Sequence, residues 1–206
     1  GGVNMAQPWH IYSNPLCPCI CPVLALSKYL FYFPEFLSGN CRLFPGGTQY
    51  CRFKKGISRI FQCHKAEIEE VGCDVSLLGT HSARKGSATL CSTGCTISPP
   101  IDSICLRAGW SMGSVKDRYI LYESAGDQFV GRMVCGIDIN SVDFAVSPCI
   151  FDLDDADHHV REVFSGYKTC TTMVIVCKYC LATLYFHHNY LTEDLHSSNH
   201  LQSSPF

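Results

Sequence analysis

The sequence predicts a mainly α-helical fold with a small residual β element at the N-terminal edge, and three observations carry that prediction. From Arg52 to Val71 the apolar residues Phe53, Ile57, Ile60, Phe61, Ile68 and Val71 recur at helical spacing, and Gly72 ends the run. Proline and glycine punctuate the middle of the chain. Ser82 to Thr93 reads as a helix closed by Gly94, and Pro99 to Ala108 as one opened by proline and ended by Gly109. Towards the C-terminus, Cys170 to Leu195 is a long helical candidate, TTMVIVCKYCLATLYFHHNYL, with an apolar surface too large to leave in water.

A chain of 206 residues can bury a core as one domain, or one domain with a tail, and 47% hydrophobic with 17% charged residues excludes the disordered class. The formal net charge of −2 hides an asymmetry. Arg42 to Arg132 holds twelve Lys and Arg against eight Asp and Glu, a local +4, which leaves four against ten elsewhere. A modestly basic middle beside an acidic remainder is compatible with a phosphate-binding face. Fifteen cysteines are an odd count, and the opening GGVNMAQPWH has neither a charged n-region nor an apolar h-region. Together these argue against a secreted disulfide scaffold and for reduced thiols in an intracellular protein. The lack of an initiating methionine reads as a chain that starts mid-protein.

In chain order, residues 1 to 14 read as extended, with Pro8 to Tyr12 as an edge strand and Asn14-Pro15 as a turn. Cys17-Pro18-Cys19-Ile20-Cys21 lacks the two-to-four-residue gaps of a zinc site, and no second ligand pair follows at a suitable distance. Pro22 opens a helix to about Phe33 with too many apolar positions for a surface element, and Pro34 to Gly47 is a Gly- and Pro-rich loop. Arg52, Lys54, Lys55 and Arg59 lie largely off the apolar stripe of their helix, where they are either phosphate contacts or an ordinary solvated face.

After Arg132, Asp138 to Asp157 is acidic and turn-rich. It has no EF-hand glycine or terminal glutamate, so it reads as a solvated linker. In the C-terminal run Lys178 sits near the middle, where a charge costs about 2.5–3.5 kcal/mol on membrane insertion. A buried or partner-facing helix is therefore favoured over a membrane span. Cys177 and Cys180, with His187 and His188, are either a zinc set or simply one helix face.

The stretch from Gly79 to Arg132 carries the chemistry. It holds His81 and Arg84 as His-x-x-Arg, the turn Gly109-Trp110-Ser111, and Tyr119 nine residues beyond that tryptophan. A phenol can attack phosphorus and hold it covalently, and an arginine fork can grip two phosphate oxygens. A histidine can move a proton, and an indole N–H can donate to a phosphate oxygen. Taken singly, His81 fits a helix-start cap, Arg84 a surface ion pair, and Trp110 and Tyr119 core aromatics.

In this order and spacing the residues resemble the catalytic domain of tyrosine recombinases. Cre-type recombinases share His-Ser-Ala-Arg and Gly-Trp. The recombinases of Crypton-like eukaryotic mobile elements have similar flanking phrases: Asn14-Pro15, Cys21-Pro22-Val23-Leu24-Ala25-Leu26, Leu43-Phe44-Pro45-Gly46, Gly131-Arg132 and Ser204-Pro205-Phe206.

The resemblance implies a recombinase-like helical core that breaks and rejoins DNA through a 3′-phosphotyrosine link. Tyr119, on a helix from Ser114 to Ser124, would be the nucleophile. Arg84 would clamp the phosphate oxygens, Trp110 would be a further donor, and His81 would assist proton transfer. Arg52, Lys54, Lys55, Arg59, Lys85 and Lys116 would contact DNA, while Arg107 and Arg118 would add positive charge near the phosphate. The implied partners are double-stranded DNA and further copies of the chain on that DNA. No membrane, metal or small-molecule cofactor is implied, and the implied location is the nucleus.

The domain reading is a partial catalytic domain over 1–136, an acidic linker over 137–169, and a C-terminal helix and tail over 170–206. The family also uses an upstream arginine and a β-hairpin lysine. Neither is assigned here, because Lys28, Lys54, Lys55 and Lys65 all fall downstream of the hairpin position, on predicted helices. The alternatives are a catalytically inactive DNA-binding remnant of a mobile element and a cysteine-rich metal-binding interaction module.

Overall fold

A computed structural model describes residues 9–38, 42–94, 96–113, 124–145, 150–151, 153–167 and 171–194. Helices dominate it. In order they are α1 (Pro22–Tyr32), α2 (Gln49–Cys63), α3 (Lys65–Glu70), α4 (Ser82–Thr93), α5 (Ile101–Ala108), α6 (Ser124–Val134), α7 (Leu153–Val163), α8 (Thr171–Phe186) and α9 (His188–Asp194). The described residues fall into two compact units, those of Gly46–Val130 and those of Pro8–Pro45 with Gly131–Phe206.

The second unit is built on α1 and α8. Pro22 stands in the first turn of α1, where its missing N–H costs no intrahelical bond, and the Cys21 sulfur accepts from the Leu24 N–H. Leu24, Ser27 and Leu30 then recur on one buried face. That face lies against α8, which α7 also covers, so α8 is enclosed from more than one side. This explains its weakly patterned sequence: a helix apolar nearly all round must be buried. The core joins Leu24, Leu30 and Leu37 to Val160 and Phe164, and to Cys177, Cys180 and Leu184. Close approach requires Gly166, where an added Cβ would stand 1.8 Å from the Pro34 carbonyl oxygen.

Lys178 is buried on α8 with its Nζ 2.7 Å from an Asp157 carboxylate oxygen. The contact is an ion pair more than an aligned hydrogen bond, since that oxygen has no hydrogen-bond donor among the described residues. None of the described helices is long and apolar enough to cross a membrane.

The first unit has a thinner core. Val75, Cys91, Ile104 and Val130 are buried, and α4 lies against α5. Tyr50, Phe53 and Ile60 of α2 are all more than half exposed, so the amphipathic pattern does not seat this helix in a core.

Several expectations change. Among the described residues there is no strand, and residues 9–14 run without regular structure. An edge strand needs a ladder partner for its N–H and C=O groups, and none forms here. Tyr12 instead clusters with Cys135 and Ile137. The predicted helix over Arg52 to Val71 is interrupted at His64, whose Nδ1 meets Glu67 Oε2 at 2.6 Å where α3 begins. The segment read as an acidic linker contains α7, because Val160, Val163 and Phe164 supply an apolar face. The C-terminal run breaks at His187 into α8 and α9, and the predicted helix Ser114 to Ser124 lies outside the described residues, apart from Ser124 at the start of α6.

His187 is buried, and its Nε2 has no hydrogen-bond partner among the described residues. Burial pushes its pKa below the ordinary 6.5, opposed in part by a hydrogen bond with the Asn14 backbone. The unfolded chain therefore takes up a proton that the folded chain resists, and stability falls as pH drops through 6.5 towards the lowered value. Urea denaturation should give a lower midpoint at about pH 5 than at about pH 8, with a smaller difference in His187→Gln. An unchanged pH dependence in the variant would show that His187 is not the group responsible.

Candidate functional site

The turn before α4 is closed by a reciprocal pair: the Gly79 N–H donates to Ser82 Oγ and the Ser82 N–H to the Gly79 carbonyl, both at 2.9 Å. His81 occupies the N-cap position, and its carbonyl accepts from the Lys85 N–H at 2.9 Å. Its imidazole makes no capping bond, which removes the capping explanation for this residue. One turn on, Arg84 is exposed, with Lys85 beside it. The side chains of His81, Arg84 and Lys85 form no hydrogen bond or ion pair with another described residue. Tyr50 Oη lies 3.3 Å from Thr80 Oγ1, which ties α2 to this turn.

After α5, Gly109 adopts φ +69°, a conformation that glycine reaches without the Cβ penalty. The Gly109 N–H bonds the Leu106 carbonyl at 3.1 Å and the Trp110 N–H bonds that of Cys105 at 2.9 Å, a Schellman turn. Trp110 leaves this turn 40% exposed, so it is not a core aromatic. His81, Arg84 and Trp110 are thus three exposed side chains of one unit, carried by the start of α4 and the turn after α5. Tyr119 and Lys116 lie outside the described residues, as does Arg118.

The basic residues divide. Arg52, Lys55 and Arg59 recur at i, i+3 and i+7 along α2, opposite Tyr50, Phe53, Ile57 and Ile60, with Lys54 at the flank, and all four cations are exposed. Arg107 differs. Its Nη1 lies 2.6 Å from Asp127 Oδ1, with the two side chains only 14% and 7% exposed, so a carboxylate already neutralises the charge expected near a phosphate. Twenty residues separate the partners, and no periodic signal in the sequence links them.

Two further groups bear on metal binding. Cys177 and Cys180 are packed in the core, and burial pushes their thiols up to about 12 and about 11. On α7, donor atoms of His158, His159 and Glu162 lie within 4.8 Å of one another, all exposed. The His-His-x-x-Glu spacing was the available sequence signal for them. Comparison with protein-family models, curated proteins and solved structures finds no match to this chain.

The contrast between Arg107 and Arg84 is measurable as stability. Asp127→Ala strips a carboxylate from a largely buried guanidinium and should cost up to about 3–5 kcal/mol in urea denaturation. Arg84→Ala and Lys85→Ala, at exposed positions, should stay within about 0.5 kcal/mol of the parent. Equal losses at Asp127 and Arg84 would mean that the fold depends on Arg84 as well.

Proposed function

We propose that the chain is a tyrosine recombinase-like catalytic core that acts on double-stranded DNA, breaking and rejoining a strand through a 3′-phosphotyrosine intermediate. The observation that carries this reading is that His81, Arg84 and Trp110 are exposed, and that the side chains of His81 and Arg84 have no hydrogen-bond or ion-pair partner among the described residues. Exposed side chains are available to a ligand, and the chemistry of these three suits a phosphodiester.

In the proposed reaction Tyr119 attacks the scissile phosphorus and the 5′-oxygen leaves. The Arg84 guanidinium donates to the non-bridging oxygens, where charge accumulates in the transition state. The Trp110 indole N–H adds a further donor, and His81 assists proton transfer. The cations of α2 and Lys85 hold the duplex by its phosphates, a sequence-independent contribution. The bond energy stays in the protein–DNA link, so rejoining needs no nucleotide hydrolysis.

Two groups of the family's site, an arginine and a hairpin lysine, remain unassigned in these 206 residues. Losing a general acid or base costs about 10²–10⁴-fold and losing an electrostatic donor about 10²–10³-fold, without simple additivity. The proposal is therefore of a chain that binds DNA weakly and cleaves it barely on its own. A second reading, a catalytically inactive DNA-binding remnant, follows from the same two unassigned groups.

A nicked suicide duplex separates the two. Joined to an N-terminal segment that supplies an arginine and a hairpin lysine, the chain should give a covalent adduct that survives denaturing electrophoresis and disappears in Tyr119→Phe. An adduct that persists in Tyr119→Phe would mean another nucleophile. No adduct from the lengthened chain would favour the remnant, and an efficient adduct from the 206 residues alone would contradict the proposed incompleteness.

A further inference from the structure

The three cysteines ahead of α1 have separate fates. Cys21 is buried, and its sulfur accepts from the N–H groups of Asn14 at 3.2 Å and Leu24 at 3.4 Å, so it is committed to the helix start. Cys17 is half-buried and Cys19 exposed, and their sulfur atoms lie 3.2 Å apart. This contact rests on a fixed base. Buried Asn14 accepts from the N–H groups of Leu16 at 2.9 Å and Cys17 at 2.8 Å, and donates to the Cys135 carbonyl at 3.0 Å. Pro18 lies between the two cysteines, and residues Pro18–Ile20 form a 3₁₀ turn whose Ile20 N–H bonds the Cys17 carbonyl at 3.2 Å.

We propose that Cys17 and Cys19 form a redox-active dithiol, a modification site that low-molecular-weight disulfides such as oxidised glutathione convert to an intrachain disulfide. Residues two apart span at most about 7 Å between Cα atoms even when extended, and a 3₁₀ turn shortens this into the range a disulfide bridges. The two sulfur atoms share a hydrogen bond that either thiol can donate, and this contact raises the Cys19 pKa; the first attack is assigned to Cys17. The Cys17 thiol gives its proton to water, and the thiolate attacks one sulfur of the glutathione disulfide. The S–S bond breaks, and the departing glutathione thiolate takes up a proton. Cys19 then loses its proton and attacks the Cys17 sulfur, expelling the second glutathione, which is protonated in turn. The protein dithiol is oxidised by two electrons, one glutathione disulfide is reduced to two thiols, and no net proton is released.

The test uses the whole reduced chain equilibrated in glutathione redox buffer, quenched by alkylation and digested with trypsin. The first cleavage point is Lys28, so Cys17, Cys19 and Cys21 share one peptide, and fragmentation locates any link. The expected result is a Cys17–Cys19 disulfide favoured about tenfold or more over the same link in the urea-unfolded chain, about 30 mV on a two-electron scale. Cys19→Ser should hold glutathione on Cys17 as a stable mixed disulfide, and Cys21→Ser should leave the link intact. A link no more favourable in the folded chain than in urea, a link to Cys21, or separate glutathione adducts on the parent chain would each overturn the proposal.

Discussion

The pairing of α1 with α8 holds half of this molecule together. It joins distant parts of the sequence, and it forms the larger of the buried clusters seen among the described residues of the unit of Pro8–Pro45 with Gly131–Phe206. Its terms are largely apolar: Leu24 and Leu30 meet Cys177, Cys180 and Leu184, with Val160 and Phe164 added by α7. Burying such side chains contributes about 1.5–3 kcal/mol each. A contact so distant in sequence also incurs loop-closure entropy before it returns any energy, so it must be extensive to persist. The charge of Lys178 within it is tolerated because Asp157 stands 2.7 Å away.

The unit of Gly46–Val130 works differently. With fewer buried apolar residues, it uses polar connections such as the Arg107–Asp127 pair and the turns that close α4 and α5. These connections consume some functional-looking residues and spare others. Arg107 is consumed. His81 forms no side-chain cap, Arg84 forms no ion pair with a described residue, and Trp110 stays 40% exposed, although helix caps, ion pairs and core packing are the usual destinations of such residues.

Local features were the legible ones. Pro22 and Gly109 marked helix ends because their backbone restrictions act whatever surrounds them, and α4 runs from Ser82 to Thr93 as its pattern predicts. Features that depend on distant partners were not legible. The Pro8 to Tyr12 strand had the right composition and no ladder to join. The α7 helix was hidden because four nearby aspartates outweighed Val160, Val163 and Phe164, whose burial requires α8. The stripe of α2 promised burial that the structure does not provide, since periodicity reports amphipathicity and not what covers it. At the site, His81, Arg84 and Trp110 were legible as chemistry, while the Arg107–Asp127 contact spans twenty residues without a repeating pattern.

The central claim, that the fold spares Arg84 for a phosphate, is tested most directly by duplex DNA binding as a function of salt. Log K against log salt should be measured for the parent and Arg84→Ala, with thermal melting of both. Loss of one phosphate contact should reduce the slope by about 0.9 and weaken binding across sequences, with the melting midpoint unchanged. An unchanged slope and affinity, or a fall in melting midpoint that accounts for the lost binding, would contradict the claim.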